Sequence, residues 1–140
     1  MKDENCIFCL LAGGDIPTAT LYEDDQFRVI LDAGPATKGH ALILPKQHYA
    51  NIFEIDEAVL RDLIVLGKKT AQAMKDALGC DGVNLVQNNG TCAGQTVFHF
   101  HLHVIPRYED DGQRIGWVPG EIDPETQAEL VEKLSAAMKA

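Results

Sequence analysis

Apolar and polar residues alternate with period two over residues 95–107, the clearest pattern in the chain. Three of the five histidines, His99, His101 and His103, fall in this stretch and are separated by single apolar residues. Such alternation predicts a half-buried β-strand with the three imidazoles on one face. Because a strand rises about 3.3 Å per residue, His99 and His103 are predicted to lie roughly 13 Å apart. The three rings therefore cannot all contact one small group, and the central His101 is the predicted centre of chemistry.

Shorter patterns predict two helices and further strands. Apolar side chains recur at every third or fourth position between Asp56, a capping residue type, and Gly79, a residue type that ends helices. A second helix is predicted over about residues 124–139, with Asp123 as N-cap and a proline at its first position. The other predicted elements are a short helix or turn ending at glycines 13 and 14, and strands at 20–23, 27–32, 40–45 and 82–86. This order is typical of a single α+β domain, residues 1–140, around a mostly antiparallel sheet.

Charge and composition narrow the function. The chain has 12 Lys and Arg residues against 21 Asp and Glu residues, so its formal net charge is 12 − 21 = −9. An acidic protein is poorly suited to a nucleic-acid backbone, although local histidines and backbone N–H groups can still bind a small anion. The N-terminus carries no apolar signal segment and no run approaches the length of a membrane span. With four cysteines and no export signal, a reduced, cytoplasmic protein is expected.

The alternating histidines admit three interpretations. Hydrogen-bonded or exposed histidines on a sheet face would carry no chemistry, but strict alternation disfavours a chance cluster. Two histidines two residues apart on a strand can bind one metal ion, although such a site needs a third ligand. A histidine can also act as a nucleophile while neighbouring donors hold a phosphate group.

The histidine stretch resembles the signature of the histidine triad (HIT) superfamily of nucleotide hydrolases and transferases. Residues 99–105 have its form, His-φ-His-φ-His-φ-φ, where φ is apolar. Other segments match in family order, and they are residues 6–9, 14–17, 22–24, 38–48, 93–97 and 106–107. The matching part runs from about residue 6 to residue 117. His103 distinguishes the chain from the uridylyltransferase branch, whose core is His-Pro-His, and the closest resemblance is to the bacterial HIT and adenosine phosphoramidase branch.

The resemblance implies both a fold and an activity. The implied HIT-like fold is an antiparallel sheet of about five strands with one long helix and a C-terminal helix, and the sheet continues across a homodimer. The implied reaction cleaves the α-phosphorus bond of purine nucleoside 5′-phosphoramidates or related AMP adducts through a nucleotidyl-histidine intermediate. Dinucleoside polyphosphate hydrolysis, or zinc-stabilised nucleotide binding with little turnover, is the alternative. A purine nucleotide and a second copy of the chain are the expected partners, without nucleic acid, membrane or an organic cofactor.

The same resemblance implies roles for individual residues. His101 is the implied nucleophile, with His103 and His40 as donors beside the phosphate. The other implied nucleotide contacts are Gln95 and Thr96 to phosphate or leaving-group oxygens, Asn88 to the phosphoryl side, Asp32 to the ribose hydroxyls, and Ile7, Phe8, Leu11 and Leu31 to the base.

Two thiols and two imidazoles have the composition of a closed tetrahedral zinc site. These residues are Cys6, Cys9, His48 and His99. In part of the HIT superfamily, an N-terminal Cys-x-x-Cys joins a distal histidine and the first triad histidine in such a site. The resemblance thus implies structural zinc, whose binding would contribute to folding. A redox Cys-x-x-Cys and two unrelated buried thiols are the alternatives.

Two further features fall outside these sites. Residues 117–120 resemble the C-terminal segment that reaches the partner's site in the phosphoramidase branch, with Val118 in place of its first proline. Cys80 and Cys92 have no evident partners and are interpreted as ordinary buried or half-exposed thiols.

Overall fold

A five-stranded antiparallel sheet in the order β1-β2-β3-β5-β4 forms the frame of the molecule. The structure is a computed structural model that describes residues 3–140. Its strands are β1 (Thr20–Glu23), β2 (Phe27–Leu31), β3 (Ala41–Pro45), β4 (Gly82–Val86) and β5 (Leu102–Arg107). Its helices are α1 (Ile7–Gly13), α2 (Glu57–Leu78) and α3 (Pro124–Met138), with a 3₁₀ turn at Thr91–Ala93. The α+β class and the five-stranded antiparallel sheet are therefore confirmed.

The long helix α2 has the predicted bounds, but its N-terminus is stabilised differently. Asp56 occupies the N-cap position without a capping hydrogen bond from its side chain, and its carboxylate instead accepts from the Tyr49 hydroxyl at 3.3 Å. At the other end, Gly79 adopts the left-handed conformation (φ 62°) and its N–H donates to the carbonyl of Lys75. That conformation favours glycine, which explains why the helix stops there.

One face of the sheet packs against α2. The helix buries Leu63, Gly67, Thr70 and Met74, whereas Ile64, which the spacing had placed on the buried stripe, is 48% exposed. A Cβ on Gly67 would lie 3.0 Å from the Leu102 side chain. The glycine therefore lets the helix approach β5 closely.

The opposite face of the sheet carries α1 and the histidines. A small apolar cluster joins α1 to this face, and its members are Ala12, Ile30, Leu42 and Leu44, with Phe8 and Leu11 packed against them. Leu42 pairs with His103 across β3 and β5, and paired residues project from the same face of a sheet. His103 therefore shares the face of α1, away from α2.

The predicted histidine strand is too long at its N-terminal end. Regular pairing begins only at Leu102, so His99 and His101 precede β5 in a bent, extended segment. The reason is a change of partner, because the N–H of Phe100 donates to the carbonyl of Tyr49 at 2.7 Å rather than to a strand. The bend lets His99 turn away from His101 and His103.

Helix α3 forms as predicted but does not pack as predicted. The Asp123 carboxylate accepts from the N–H of Thr126 at 2.7 Å, and Pro124 begins the helix. None of the residues of α3 is buried by the rest of residues 3–140. Among the helices in that range, none is both long enough and apolar enough to cross a membrane.

Candidate active site and metal centre

The ring of His101 is fixed so that one nitrogen is free. Its Nδ1 lies 2.7 Å from the carbonyl oxygen of His99, and because a carbonyl can only accept, Nδ1 carries the hydrogen. In the neutral ring, Nε2 is then unprotonated and carries a free lone pair. The ring of Phe8 packs edge-on against His101 with centroids 4.8 Å apart. The backbone and α1 together thus hold His101 in a tautomer and orientation suited to nucleophilic attack through Nε2.

A second chain of hydrogen bonds fixes His103. The N–H of Ala36 donates to Nδ1 of His40 at 2.9 Å, so His40 carries its hydrogen on Nε2. Nε2 of His40 lies 2.9 Å from Nδ1 of His103 and donates to it. Because Nδ1 of His103 accepts, the neutral ring of His103 carries its hydrogen on Nε2. The rings of His101 and His103 are 5.0 Å apart. A lone pair and an N–H donor consequently lie side by side on one face.

Burial keeps these rings neutral. It lowers the pKa of His101 below its ordinary value of 6.5, opposed by hydrogen bonding to the His99 carbonyl and by the Asp32 charge. Burial likewise lowers the pKa of His40 and, reinforced by the neighbouring His101 and His40, lowers the pKa of His103 to about 4. Near neutral pH all three rings are therefore available as neutral acceptors or donors.

Asp32 lies beside the His40–His103 pair. Its Oδ2 is 3.6 Å from Nε2 of His40, and its Oδ1 accepts from the N–H of Gly34 at 2.8 Å. Three ligand atoms from Asp32, His40 and His103 are close enough together to hold a metal ion. A metal on Nε2 of His40 would, however, shift the hydrogen to Nδ1, where it would face the N–H of Ala36. The hydrogen bonds thus favour a proton, rather than a metal ion, between the imidazoles of His40 and His103. The sequence did not predict the electrostatic contact of Asp32 with His40.

The loop before the histidines is held by Gln95, contrary to its predicted role at the phosphate. Gln95 is buried, its Oε1 accepts from the N–H of Gly90, and its Nε2 donates to the carbonyls of Ala50 and Val97. Both of its N–H groups are therefore already used within the protein. Thr96, the next residue, is exposed and keeps its hydroxyl available to a ligand.

Asn88, predicted to position the phosphoryl side, lies against the same loop. A Cβ on Gly94 would be 3.3 Å from the Asn88 amide nitrogen, and Gly94 has a positive φ of 98°. Only glycine combines that conformation with such a close approach at low cost. The amide of Asn88 is consequently held next to the loop that leads to Thr96.

The predicted base pocket is only partly assembled. Phe8 and Leu11 pack together on the histidine face, while Ile7 is 46% exposed on the same helix. Leu31 instead lines a groove against α2 on the other face, together with Val29. Alternate residues of a strand project to opposite faces. Ile30 therefore contributes to the histidine face, and the assignment of Leu31 to the base pocket is corrected.

The predicted zinc ligands converge into one cluster. The ligand atoms of Cys6, Cys9, His48 and His99 all lie within 4.8 Å of one another. Nδ1 of His99 is 3.3 Å from the sulfurs of both Cys6 and Cys9. Nδ1 of His48 is 3.3 Å from the Cys9 sulfur. Two sulfur and two nitrogen donors in this arrangement match the composition of a tetrahedral zinc site.

The surroundings of the cluster orient its ligands. Nε2 of His99 donates to the carbonyl of Pro45 at 2.8 Å, which leaves Nδ1 as a lone pair facing the sulfurs. The Cys6 sulfur accepts from the N–H of Cys9 at 3.2 Å. Burial raises the pKa of the Cys9 thiol to about 11, so a stable thiolate there needs a nearby cation. The donor set therefore fits zinc.

Comparison with known proteins identifies the family. A family model described as the HIT domain matches residues 13–110. The chain belongs to the HIT family. It is 39% identical over 136 residues to the adenosine 5′-monophosphoramidase hnt1 of Schizosaccharomyces pombe, covering 96% of this chain and 99% of that protein.

Solved structures of HIT proteins match the fold. A HIT family member from Bacillus subtilis has a TM-score of 0.88 at 38% identity, covering 95% of this chain and 96% of that chain. A zinc-bound histidine triad protein from Mycobacterium smegmatis has a TM-score of 0.75 at 35% identity, with 96% of each chain covered. The predicted HIT-like fold is therefore confirmed for this chain.

The remaining cysteines and the tryptophan are not among the residues that form the two sites described above. Cys80 is half-buried and packs against the α2 core, while Cys92 is exposed in the loop before the histidines. Trp117 and Val118 are 83% and 90% exposed. Residues 117–120 resemble the family segment that reaches a partner's site, but Val118 departs from the pattern of that segment, and no contact with a partner is predicted for them.

Proposed function

We propose that this HIT protein is a nucleotide hydrolase that cleaves purine nucleoside 5′-phosphoramidates or related AMP adducts at the α-phosphorus. The observation that carries the proposal is the pairing of a free lone pair on Nε2 of His101 with an N–H on Nε2 of His103. The similarity of this protein to the S. pombe phosphoramidase supports the substrate class. The exposed Thr96 and the half-buried Asp32 are the candidate phosphate and ribose contacts.

In the first step, Nε2 of His101 attacks the α-phosphorus. The new N–P bond forms as the P–N bond to the leaving amine breaks, and the amine leaves with the bonding electron pair and takes a proton from water. The imidazole then carries positive charge, which the carbonyl of His99 stabilises through Nδ1–H. The N–H of His103 donates to a phosphoryl oxygen, where fixed donors have their largest effect on phosphoryl transfer.

In the second step, water attacks the phosphorus of the nucleotidyl-histidine. The His101–phosphorus bond breaks, its electron pair returns to Nε2, and the water proton passes to solvent as AMP is released. Splitting one displacement into two in this way lowers each barrier. His40 is a positioning residue in this scheme, because it fixes the tautomer of His103 without facing the phosphorus.

A substrate panel tests the proposed class. Adenosine 5′-phosphoramidate and adenosine 5′-phosphoryl amines are expected to give at least about tenfold higher kcat/KM than diadenosine tri- and tetraphosphates, because the chain is 39% identical to a 5′-monophosphoramidase and a site selective for one leaving group discriminates through differential transition-state binding. AMP release is measured by chromatography under single-turnover and steady-state conditions. Faster cleavage of the polyphosphates would shift the assignment to dinucleoside polyphosphate hydrolysis, and tight AMP binding without turnover would indicate a binding protein.

The pH dependence of kcat/KM tests the state of the nucleophile. Burial holds the pKa of His101 below 6.5, so the neutral, active ring persists as pH falls past that value and is lost only at lower pH. We therefore expect a flat profile from about pH 8 to pH 6.5 and an acid limb below it. A limb centred at or above about pH 7 would contradict the proposal.

That profile requires a stability control. Histidines with depressed pKa values in the folded state stabilise the fold above pH 6.5, and this contribution is lost as pH falls towards their folded-state values. Circular dichroism over the same range separates loss of fold from protonation of His101.

The second part of the proposal concerns zinc and assembly. Cys6, Cys9, His48 and His99 would hold one structural zinc ion, which would supply folding energy and no catalytic step. The four converging donors and the zinc-bound relative from M. smegmatis support it. A homodimer, a cytoplasmic location and the absence of nucleic-acid partners stay predictions.

A further inference from the structure

The loop of residues 46–56, between β3 and α2, supports the chain around the proposed site. The carbonyl of Tyr49 accepts from the N–H of Phe100 at 2.7 Å. The next carbonyl, that of Ala50, accepts from the Gln95 amide at 2.7 Å. Both donors belong to the segment that leads to the proposed nucleophile, so the 46–56 loop is a fixed support for that segment.

Asn89 makes a further link between the 46–56 loop and the site. Its Oδ1 accepts from the N–H of Ile52 at 2.7 Å and from Nε2 of Gln87 at 2.9 Å. Its Nδ2 donates back to Oε1 of Gln87 at 2.5 Å. The side chains on either side of Asn88 are thus bound to each other and to the 46–56 loop. Because this pattern uses both the acceptor and the donor of the Asn89 amide, an apolar side chain cannot reproduce it.

The register of the sheet places Asn88 and Asn89 on opposite faces. Val86, the last residue of β4, pairs with His103, and paired residues project from the same face. Side chains alternate along an extended chain, so Asn88 shares the histidine face while Asn89 projects towards the face of α2. The contacts agree, because Asn88 lies against Gly94 whereas Asn89 binds the loop that precedes α2. Asn89 therefore acts on the site from the opposite face of the sheet.

We propose that Asn89 is a positioning residue of the hydrolysis, which fixes the loop of residues 88–96 where it contacts phosphate. This inference rests on the proposed function, because the 88–96 loop carries the candidate phosphate contacts. The 88–96 loop is also closed on itself, since the N–H of Gln95 donates to the carbonyl of Gly90 and the N–H of Gly90 donates to Oε1 of Gln95. Its position relative to the histidines consequently depends on the hydrogen bonds that Asn89 and Gln95 make to the 46–56 loop.

The kinetics of Asn89→Leu in the full-length, metal-replete protein test the proposal. Leucine keeps the branched shape of asparagine but cannot accept from the N–H of Ile52. With adenosine 5′-phosphoramidate, kcat is expected to fall about tenfold or more while KM changes less than about threefold, because misplaced contacts lose more in the transition state than in the ground state. Asn89→Ala, which is too small to clash, should show the same loss.

Asn51→Leu is the matched control. Oδ1 of Asn51 accepts from the N–H of Phe53 at 2.9 Å, within the 46–56 loop itself. Its substitution removes a comparable hydrogen bond from that loop while the bond between Ile52 and Asn89 remains, so kcat should stay within about twofold of wild type. Amide hydrogen exchange of residues 90–96 is expected to be at least about tenfold faster in Asn89→Leu and unchanged in Asn51→Leu.

The contradicting outcomes separate this inference from the proposed function. If wild-type protein hydrolyses the phosphoramidate and Asn89→Leu keeps its kcat, or if Asn51→Leu loses as much, Asn89 is not a positioning residue and the proposed function stands. A loss expressed mainly in KM, unchanged hydrogen exchange, or unfolding of both Asn89 variants at the assay temperature would also overturn the inference alone. Wild-type protein without turnover would overturn both.

Discussion

His101→Asn is expected to lower kcat for adenosine 5′-phosphoramidate hydrolysis by about 10⁴-fold or more, because removal of a covalent nucleophile eliminates the two-step route. The asparagine amide can still donate to the His99 carbonyl, so the fold should be retained. AMP release by the purified variant is measured alongside wild type, and the nucleotidyl adduct is sought by mass spectrometry of acid-quenched wild-type protein.

Cys92→Ser is the matched control for this loss. Cys92 is an exposed, free cysteine in the loop that leads to the histidines, and it is not one of the four zinc-ligand candidates. Its substitution should leave kcat within about twofold. If His101→Asn retains more than about a tenth of wild-type kcat, the nucleophile is another group and the mechanism is wrong.

Cys9→Ser is expected to abolish zinc binding and to lower the free energy of unfolding by about 4 kcal/mol or more. The binding energy of a structural metal is also folding energy, and Cys9 is the fully buried sulfur of the cluster. Wild-type protein purified without added metal should contain about one zinc per chain. Elemental analysis and thermal unfolding measure both effects, and Cys92→Ser again provides the control.

This substitution should also reduce activity, because the two sites share a segment. His99 would bind zinc through Nδ1 while its carbonyl accepts from His101. Loss of the metal would let His99 move, and its carbonyl would then no longer hold the ring of His101 in the orientation needed for attack. The structural zinc would be ruled out if elemental analysis found no metal in the wild-type protein and a chelator left its thermal unfolding unchanged.

Much of the secondary structure follows from local sequence. Spacing of apolar residues, with Asp123 and Pro124 at one helix start and Gly79 at one helix end, predicts both helices within a residue of their bounds. These signals are local because capping and helical periodicity involve residues within one turn. Asp56 occupies the predicted N-cap position of α2, but its carboxylate accepts from the Tyr49 hydroxyl and makes no capping hydrogen bond. A contact outside the helix therefore changed the hydrogen bond without changing where the helix begins.

The residues of the sites were also visible in the sequence, but the faces and hydrogen bonds were not. The resemblance implies a contact of Leu31 with the base, but Leu31 lines the groove against α2 and Ile30 lies on the histidine face. Neighbouring residues of a strand project to opposite faces, so a difference of one position changes the face. Gln95 was assigned to phosphate, yet its amide is occupied by carbonyls of residues 50 and 97. Residue type indicates which groups can bind a ligand, whereas tertiary contacts determine which of them remain free to do so.

The sequence by itself determined that this chain carries a histidine triad and a matching set of two thiols and two imidazoles. The resemblance also implied how the histidines divide between the two sites, but only the tertiary structure decided which nitrogen of each ring is free. His99 turns towards Cys6 and Cys9 because its Nε2 donates to Pro45, a residue 54 positions away. His101 keeps a free Nε2 because its other nitrogen donates to a backbone carbonyl. Since neutral imidazole has one donor and one acceptor, the partner on one nitrogen sets the chemistry of the other.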